Sequence, residues 1–159
     1  QYKSNNIMKN IHLIPTDKPS RLHKIGNELG LTDKPNSNLL AKQQNIYITN
    51  DEEIKEGDWI YDSSENDIIK RSNFPDINRY IKKFCKKIIL TTDQDLIKDG
   101  VQAIDDEFLE WFVKNPNCES VEIKTFCCQE ISKNYCDLRC GKQTYKIIIP
   151  KEEPKQEVL

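Results

Sequence analysis

The fold class is decided by residues 45–71, which read NIYITNDEEIKEGDWIYDSSENDIIKR. This stretch contains short segments rich in β-branched and aromatic residues, separated by polar turns. The segments are Asn45–Thr49, Asp58–Asp62 and Asp67–Arg71. Because such short turns join antiparallel strands, we predict a meander here.

Further strands and a helix flank this meander. Apolar or alternating runs predict strands at Ile11–Ile14, Lys87–Thr92, Ser120–Phe126 and Thr144–Pro150. Residues 74–87 change to a helical period instead. The apolar residues at helical spacing in that segment are Ile77, Tyr80, Ile81, Phe84 and Cys85.

The clearest helix is Asp106–Lys114. Asp105 precedes it as an N-cap, and Asp106 with Glu107 places negative charge in the first turn, where the helix dipole favours it. We expect its apolar side to pack against the sheet. That side consists of Phe108, Leu109, Trp111, Phe112 and Val113.

These patterns predict an α+β fold with a small, mostly antiparallel sheet that could close into a barrel. We expect about six or seven short strands and two helices. Residues 8–150 form the predicted single domain, after an N-terminal extension at 1–7 and before a charged, disordered tail at 151–159. Within the domain, 15–45 is predicted as a long connection and 116–144 as a cysteine-rich hairpin excursion.

Composition narrows the function classes. The chain of 159 residues carries a formal net charge of −2, which argues against a strongly basic nucleic-acid protein. No run of 18 apolar residues predicts a membrane span, and the N-terminus lacks a signal-peptide pattern, so we expect a cytoplasmic protein. The phosphate-loop, dinucleotide, zinc-protease and nucleophile-elbow motifs are missing from the sequence.

Few residues suggest catalysis. His12 alternates with apolar neighbours in a predicted strand, so we expect it to face water or a neighbouring loop. Asp93, Asp95 and Asp99 fall in one predicted loop and could converge on a metal ion, as in a metal-dependent hydrolase. We favour the simpler interpretation, in which these aspartates cap turns and helix starts. We therefore predict no catalytic residues, no cofactor and no enzymatic activity.

Four cysteines lie close together in the sequence. They are Cys127, Cys128, Cys136 and Cys140. A structural zinc site prefers two pairs of ligands at C-x2–4-C spacing, and only the second pair has it. Adjacent residues of a strand point to opposite faces, which disfavours the first pair, although a turn or Cys118 could replace one ligand. Zinc and free thiols both stay open, and we favour free thiols with no bound metal.

Whole phrases of the chain resemble a known family. They include NIHLIPTDKPSRL from Asn10, KKIILTTDQDLIKDG from Lys86 and YKIIIPKEEPKQE from Tyr145. The sequence is similar to an uncharacterised family of small proteins encoded by flavobacteria, other Bacteroidetes and their phages or prophages. In that family the cysteine-bearing segment varies in length and in cysteine content, which implies a loop embellishment.

The resemblance implies a phage or prophage accessory protein that binds a host macromolecule in the bacterial cytoplasm. The concrete version is a counter-defence protein, such as an inhibitor of a CRISPR effector nuclease. An acidic turn could enter a basic nucleic-acid channel of that partner, which would be a host protein or ribonucleoprotein. The turn contains Asp51, Glu52, Glu53, Glu56 and Asp58. We expect no membrane partner, no small-molecule substrate, and nucleic acid only through the partner.

The alternative is a module that binds RNA or single-stranded DNA. Basic residues of the first predicted helix would track phosphates while Tyr80 or Tyr61 stacks on a base. The candidate contacts are Arg79, Tyr80, Lys82, Lys83, Lys86 and Lys87. A metal-dependent hydrolase is the third hypothesis.

The cysteine cluster gives the first prediction. Replacing Cys127, Cys128, Cys136 and Cys140 together with serine should leave the melting temperature nearly unchanged, because free thiols in a loop contribute little to stability. Differential scanning calorimetry checks this. Stoichiometric zinc in the purified protein, with unfolding on chelation, would instead establish a structural metal site.

Overall fold

The computed structural model describes residues 9–36, 42–71, 78–127 and 143–150. The chain divides into two compact units, residues 1–120 and 121–159. The first contains an eight-stranded sheet and the second a two-stranded sheet. No helix within the described residues is long and apolar enough to cross a membrane.

Antiparallel pairing dominates the sheet of the first unit, and only β7 and β8 pair in parallel. The strand order is β3-β2-β4-β7-β5-β6, with β1 paired to β4 and β8 paired to β7. The strands are β1 Ile11–Thr16, β2 Ser20–Ile25, β3 Glu28–Asn36, β4 Lys42–Asn50, β5 Trp59–Asp62, β6 Asp67–Lys70, β7 Cys85–Thr91 and β8 Gln102–Ala103.

Strand β4 is the centre of this sheet. It is buried at every position from Gln43 to Thr49, which requires cover on both faces. One edge pairs with β1, while the other edge pairs with β2 near its start and with β7 near its end. Between these two pairings, hydroxyl groups replace the missing strand at Ile46. Its N–H donates to Thr92 Oγ1 at 2.8 Å, and its carbonyl accepts from Thr91 Oγ1 at 2.8 Å.

The chain crosses β4 between β1 and β2. Gln43 and Gln44 pair with both strands, so β1 and β2 lie on opposite edges of β4 although they are consecutive in sequence. Ser20 holds this crossing in place. Its N–H donates to Gln43 Oε1 at 2.9 Å, and its hydroxyl donates to the Gln44 carbonyl at 2.6 Å.

Three helices lie within the described residues of the first unit: α1 Asn78–Phe84, α2 Gln94–Lys98 and α3 Asp106–Lys114. Asp105 caps α3 as predicted, since its Oδ1 accepts from Phe108 N at 3.0 Å. Phe108, Leu109 and Phe112 are buried. The other two apolar residues predicted for this side, Trp111 and Val113, are only half-buried, because the helix buries a narrower stripe.

The second unit contains β9 Glu122–Cys127 and β10 Gln143–Ile148, which pair antiparallel. Cys128, Cys136 and Cys140 lie outside the described residues, as do the N-terminal extension and the tail at 151–159. The zinc hypothesis for these cysteines therefore stays untested.

Several sequence-based expectations about the first unit are wrong. The order of the sheet breaks the predicted meander, because β7 inserts between β4 and β5. The described strands do not close into a barrel, since the sheet ends at β3 and β6. The predicted long connection at 15–45 contains β2 and β3, which form a hairpin with Gly26 at its turn (φ 63°). The predicted loop at 93–103 contains α2 and β8.

The α3 core gives a stability prediction. Phe112 is 1% exposed, and its ring lies 5.6 Å from the Phe108 ring between centroids. Phe112→Ala should lower the free energy of unfolding by about 3–5 kcal/mol, because it removes a buried ring and leaves a cavity. Urea unfolding measures the change. Glu110→Ala on the exposed side of α3 is the control, and a loss under about 1 kcal/mol for Phe112→Ala would contradict the packing.

Candidate binding cleft

A cleft of about 1120 Å³ opens in the first unit. One side is lined by residues 50–56, which follow β4, and another by residues 81–86, which span the end of α1 and the start of β7. Its volume is at the upper end of the range for ligand sites, roughly 300–1,000 Å³. Four of its lining residues are buried: His12, Tyr61, Ile81 and Cys85.

The His12 ring packs inside the fold. It is 7% exposed and stacks on the Tyr61 ring with 3.8 Å between centroids. Because β4 and β7 separate β1 from β5 in the strand order, this contact requires the sheet to curve. The expectation that His12 faces water or a loop is therefore wrong. Strand alternation alone could not reveal a ring contact between strands that are not hydrogen-bonded.

His12 is also electrostatically unusual. Burial, followed by the nearby positive charge of Lys9, lowers its pKa to about 4, so the ring is neutral at pH 7. Its Nε2 lies 3.3 Å from Thr49 Oγ1. Its Nδ1 is buried and has no hydrogen-bond partner among the described residues.

Cys85 contributes a buried, free thiol to the same cleft. Burial, together with the negative charge of Asp62, raises its pKa to about 11. A thiol with so high a pKa stays protonated at neutral pH and is a poor nucleophile. A Cys–His nucleophile pair therefore has no support in this geometry.

The predicted acidic turn and the predicted basic contacts meet at this cleft. Asp51 forms an ion pair with Lys86. Lys87 Nζ lies 3.6 Å from Glu52 Oε1 and 3.6 Å from Asp58 Oδ2. The sequence assigned these charges to two competing hypotheses, but the fold uses most of them to neutralise one another.

Other charges of the two sets keep their exposure. Glu53 and Glu56 are exposed on the acidic side, and they form no ion pair within the described part of the chain. The same holds for Arg79, Lys82 and Lys83 on α1, apart from Lys83 lying 5.3 Å from the centre of the Phe84 ring.

Tyr80 anchors α1 beside the cleft. Its hydroxyl donates to Asp62 Oδ2 at 2.6 Å, and its ring packs 4.9 Å from the Phe84 ring. Asp62 is buried and also accepts from Ser64 N and Ser64 Oγ, at 2.9 and 2.7 Å. Tyr61 and Tyr80, the two rings proposed to stack on a base, both already contact other rings.

The three aspartates of the predicted metal loop point to different partners. Asp93 caps α2, accepting from Asp95 N at 3.0 Å and from the Tyr47 hydroxyl at 2.8 Å. Asp95 pairs with Lys18, and Asp99 accepts from Trp59 Nε1 at 2.7 Å. The capping interpretation is confirmed for Asp93. Within residues 9–36, 42–71, 78–127 and 143–150, no group of three or more His, Cys, Asp or Glu side chains could hold a metal ion.

Comparisons with known proteins add no further constraint on this cleft. No protein-family model matched the chain, and the searches of curated proteins and of solved structures also returned no match.

The Asp62 carboxylate gives a pH-dependent prediction. Its burial raises the pKa, but hydrogen bonds from Tyr80 and Ser64 outweigh this and place the pKa below its ordinary value of 3.8. Such a group stabilises the fold above its unfolded-state pKa, and this stability is lost as the pH falls through the folded-state pKa.

Asp62→Asn should therefore lower the free energy of unfolding at pH 7 by roughly 1.5–3 kcal/mol, the usual contribution of hydrogen bonds to a charged group. The difference from wild type should shrink below about pH 4. Urea unfolding at pH 7 and pH 3 measures both values. Asp33→Asn, an exposed substitution, is the control. An unchanged difference at the two pH values would mean that Asp62 is not ionised in the folded state.

Proposed function

We propose that this chain acts by binding a host protein or ribonucleoprotein, and that the charged cleft forms part of its binding surface. The resemblance to phage and prophage proteins supports a counter-defence role in the cytoplasm of a bacterial host, with inhibition of a CRISPR effector nuclease as the concrete form.

The observation that carries this proposal is the alternation of charge around the cleft. Asp51 pairs with Lys86, and Glu53 and Glu56 lie on the same cleft as Lys82 and Lys83. Nucleic-acid backbones carry only negative charge, so they bind best to surfaces of uniform positive charge. A protein surface carries both signs, and complementary patterns of charge give such interfaces their specificity.

Glu53 and Glu56 are the acidic residues best placed to steer a partner. Both are exposed and line the cleft, and neither is used in an ion pair within the described residues. Exposed charges of this kind accelerate association with an oppositely charged surface, and added salt screens the effect. A basic channel on a nuclease would provide such a surface.

Charge reversal at these residues tests the proposal. The assay measures the association rate with purified CRISPR effector ribonucleoproteins, and the inhibition of their cleavage, at several salt concentrations. Glu53→Lys with Glu56→Lys should slow association roughly tenfold at low salt and flatten its salt dependence. Glu28→Lys with Glu110→Lys changes the net charge equally at exposed sites outside the cleft, and should alter the rate by less than about twofold.

Two results would contradict the proposal. One is equal slowing by the control pair, which would assign the effect to net charge alone. The other is metal-dependent cleavage of nucleic acid by the isolated chain that is lost in Asp95→Ala, because this would support the hydrolase hypothesis.

A nucleic-acid-binding module is the second candidate. Its support is the exposed group of Arg79, Lys82 and Lys83 on α1, which has no acidic partner among the described residues. Micromolar or tighter binding to bare RNA at physiological salt, lost in Lys82→Glu with Lys83→Glu, would favour this candidate. Lys86 and Lys87 are unsuitable for that test, since their ion pairs support the fold.

A further inference from the structure

The cleft contains a polar atom that the fold leaves unsatisfied. His12 lines the cleft and is 7% exposed, and its Nδ1 has no hydrogen-bond partner within the described residues. A buried nitrogen without a partner destabilises the folded state. A ligand group that enters the cleft and bonds to Nδ1 would remove this cost.

The surroundings of the ring define which kind of group fits. Thr49 can donate its hydroxyl hydrogen to Nε2, which leaves the neutral imidazole with its single hydrogen on Nδ1 as a donor. Lys9 also lines the cleft, and it is the one charged side chain among the described residues that acts measurably on His12. An N–H donor in a positive field favours a bound anion.

The strand register brings a second cation to this region. Tyr61, on which His12 stacks, pairs directly with Lys86 of β7. Cross-strand partners project from the same face of a sheet, so Lys86 and Tyr61 share a face. Glu53 and Glu56 line the same cleft but do not contribute to the electrostatic environment of His12.

We propose that the cleft contains a carboxylate subsite at His12, occupied by an acidic side chain of a protein partner. This inference rests on the proposed function and names the chemistry that its binding surface recognises. A carboxylate is favoured over the phosphates of a nucleic acid because the cleft also carries Glu53 and Glu56. These would repel the phosphates on either side of a bound one, but would attract a basic residue next to the acidic side chain.

The subsite can be tested without the partner. The probes are N-acetylated tetraglutamate, tetraglutamine of the same length, inorganic phosphate and a polyuridine octamer. Ring ¹⁵N resonances of His12 report on occupancy, and the concentration dependence of their shifts gives the dissociation constant. We expect saturable shifts with tetraglutamate, none with tetraglutamine, and weaker effects from phosphate and from the octamer.

Variants then assign the binding to the named residues. Lys9→Gln should weaken tetraglutamate binding about threefold, as expected for one exposed charge. His12→Phe keeps the ring stack but removes both nitrogens. Followed through backbone amide shifts of neighbouring residues, it should weaken binding about tenfold or more. Lys34→Gln, an exposed lysine outside the cleft, is the matched control and should have no effect.

Three results would overturn the proposal: no saturable His12 shift with tetraglutamate, tighter binding of phosphate or of the octamer, or unchanged binding in both His12→Phe and Lys9→Gln. If His12→Phe fails to fold, the exposed Lys9→Gln decides alone. Failure of the proposed function is distinguishable. Tetraglutamate would then still bind at His12, while no CRISPR effector ribonucleoprotein would associate with the chain.

Discussion

Hydrogen bonding along both edges of β4 is the constraint to which the rest of the first unit conforms. A strand buried on both faces has no access to water, so each of its polar groups needs a partner inside the protein. The Ser20 crossing supplies partners for Gln43 and Gln44, and Thr92 Oγ1 donates to Asn45 Oδ1 at 3.1 Å. The end of β7 completes the pairing. The positions of β1, β2 and β7 therefore follow from the needs of one strand.

Curvature of this sheet creates the cleft. It brings His12 of β1 against Tyr61 of β5, and Tyr80 attaches α1 to the same region through Asp62. The ion pairs of Lys86 and Lys87 then hold residues 51–58 close to β7. Structural and binding roles are thus combined in one group of charges, and a partner meets only those that the fold does not use. This is why Glu53 and Glu56 differ from Glu52, although all three are neighbours in sequence.

Local signals in the sequence were sufficient for most individual elements. The alternation of Asn45–Thr49 predicted β4, and the cap at Asp105 with the aromatic stripe after it predicted α3. The prolines and glycines between 15 and 35 misled, because Pro15 and Pro35 sit inside strands instead of breaking them. Helix α2 was missed because five residues are too few to show a period.

The cleft was harder to predict than its parts. Both charged sets were identified as candidate contacts, but no local pattern shows that Lys86 neutralises Asp51 across two strands. The roles of His12 and Tyr61 depend on the curvature of the sheet, which follows from the insertion of β7 between β4 and β5. Such pairings between distant segments are decided by packing and not by propensity.

The crossing at Ser20 also has a consequence for the order in which the chain folds. The hairpin of β2 and β3 is local and can form as soon as it is synthesised. Strand β4 must afterwards enter between β1 and β2, both of which precede it, and β1 has no described strand partner until then. Closing contacts between such distant segments is entropically costly and slow. During synthesis the apolar side chains of Ile11, Leu13 and Ile14 therefore wait for their strand partner, and the arrival of β4 is the event that ends their exposure to other chains.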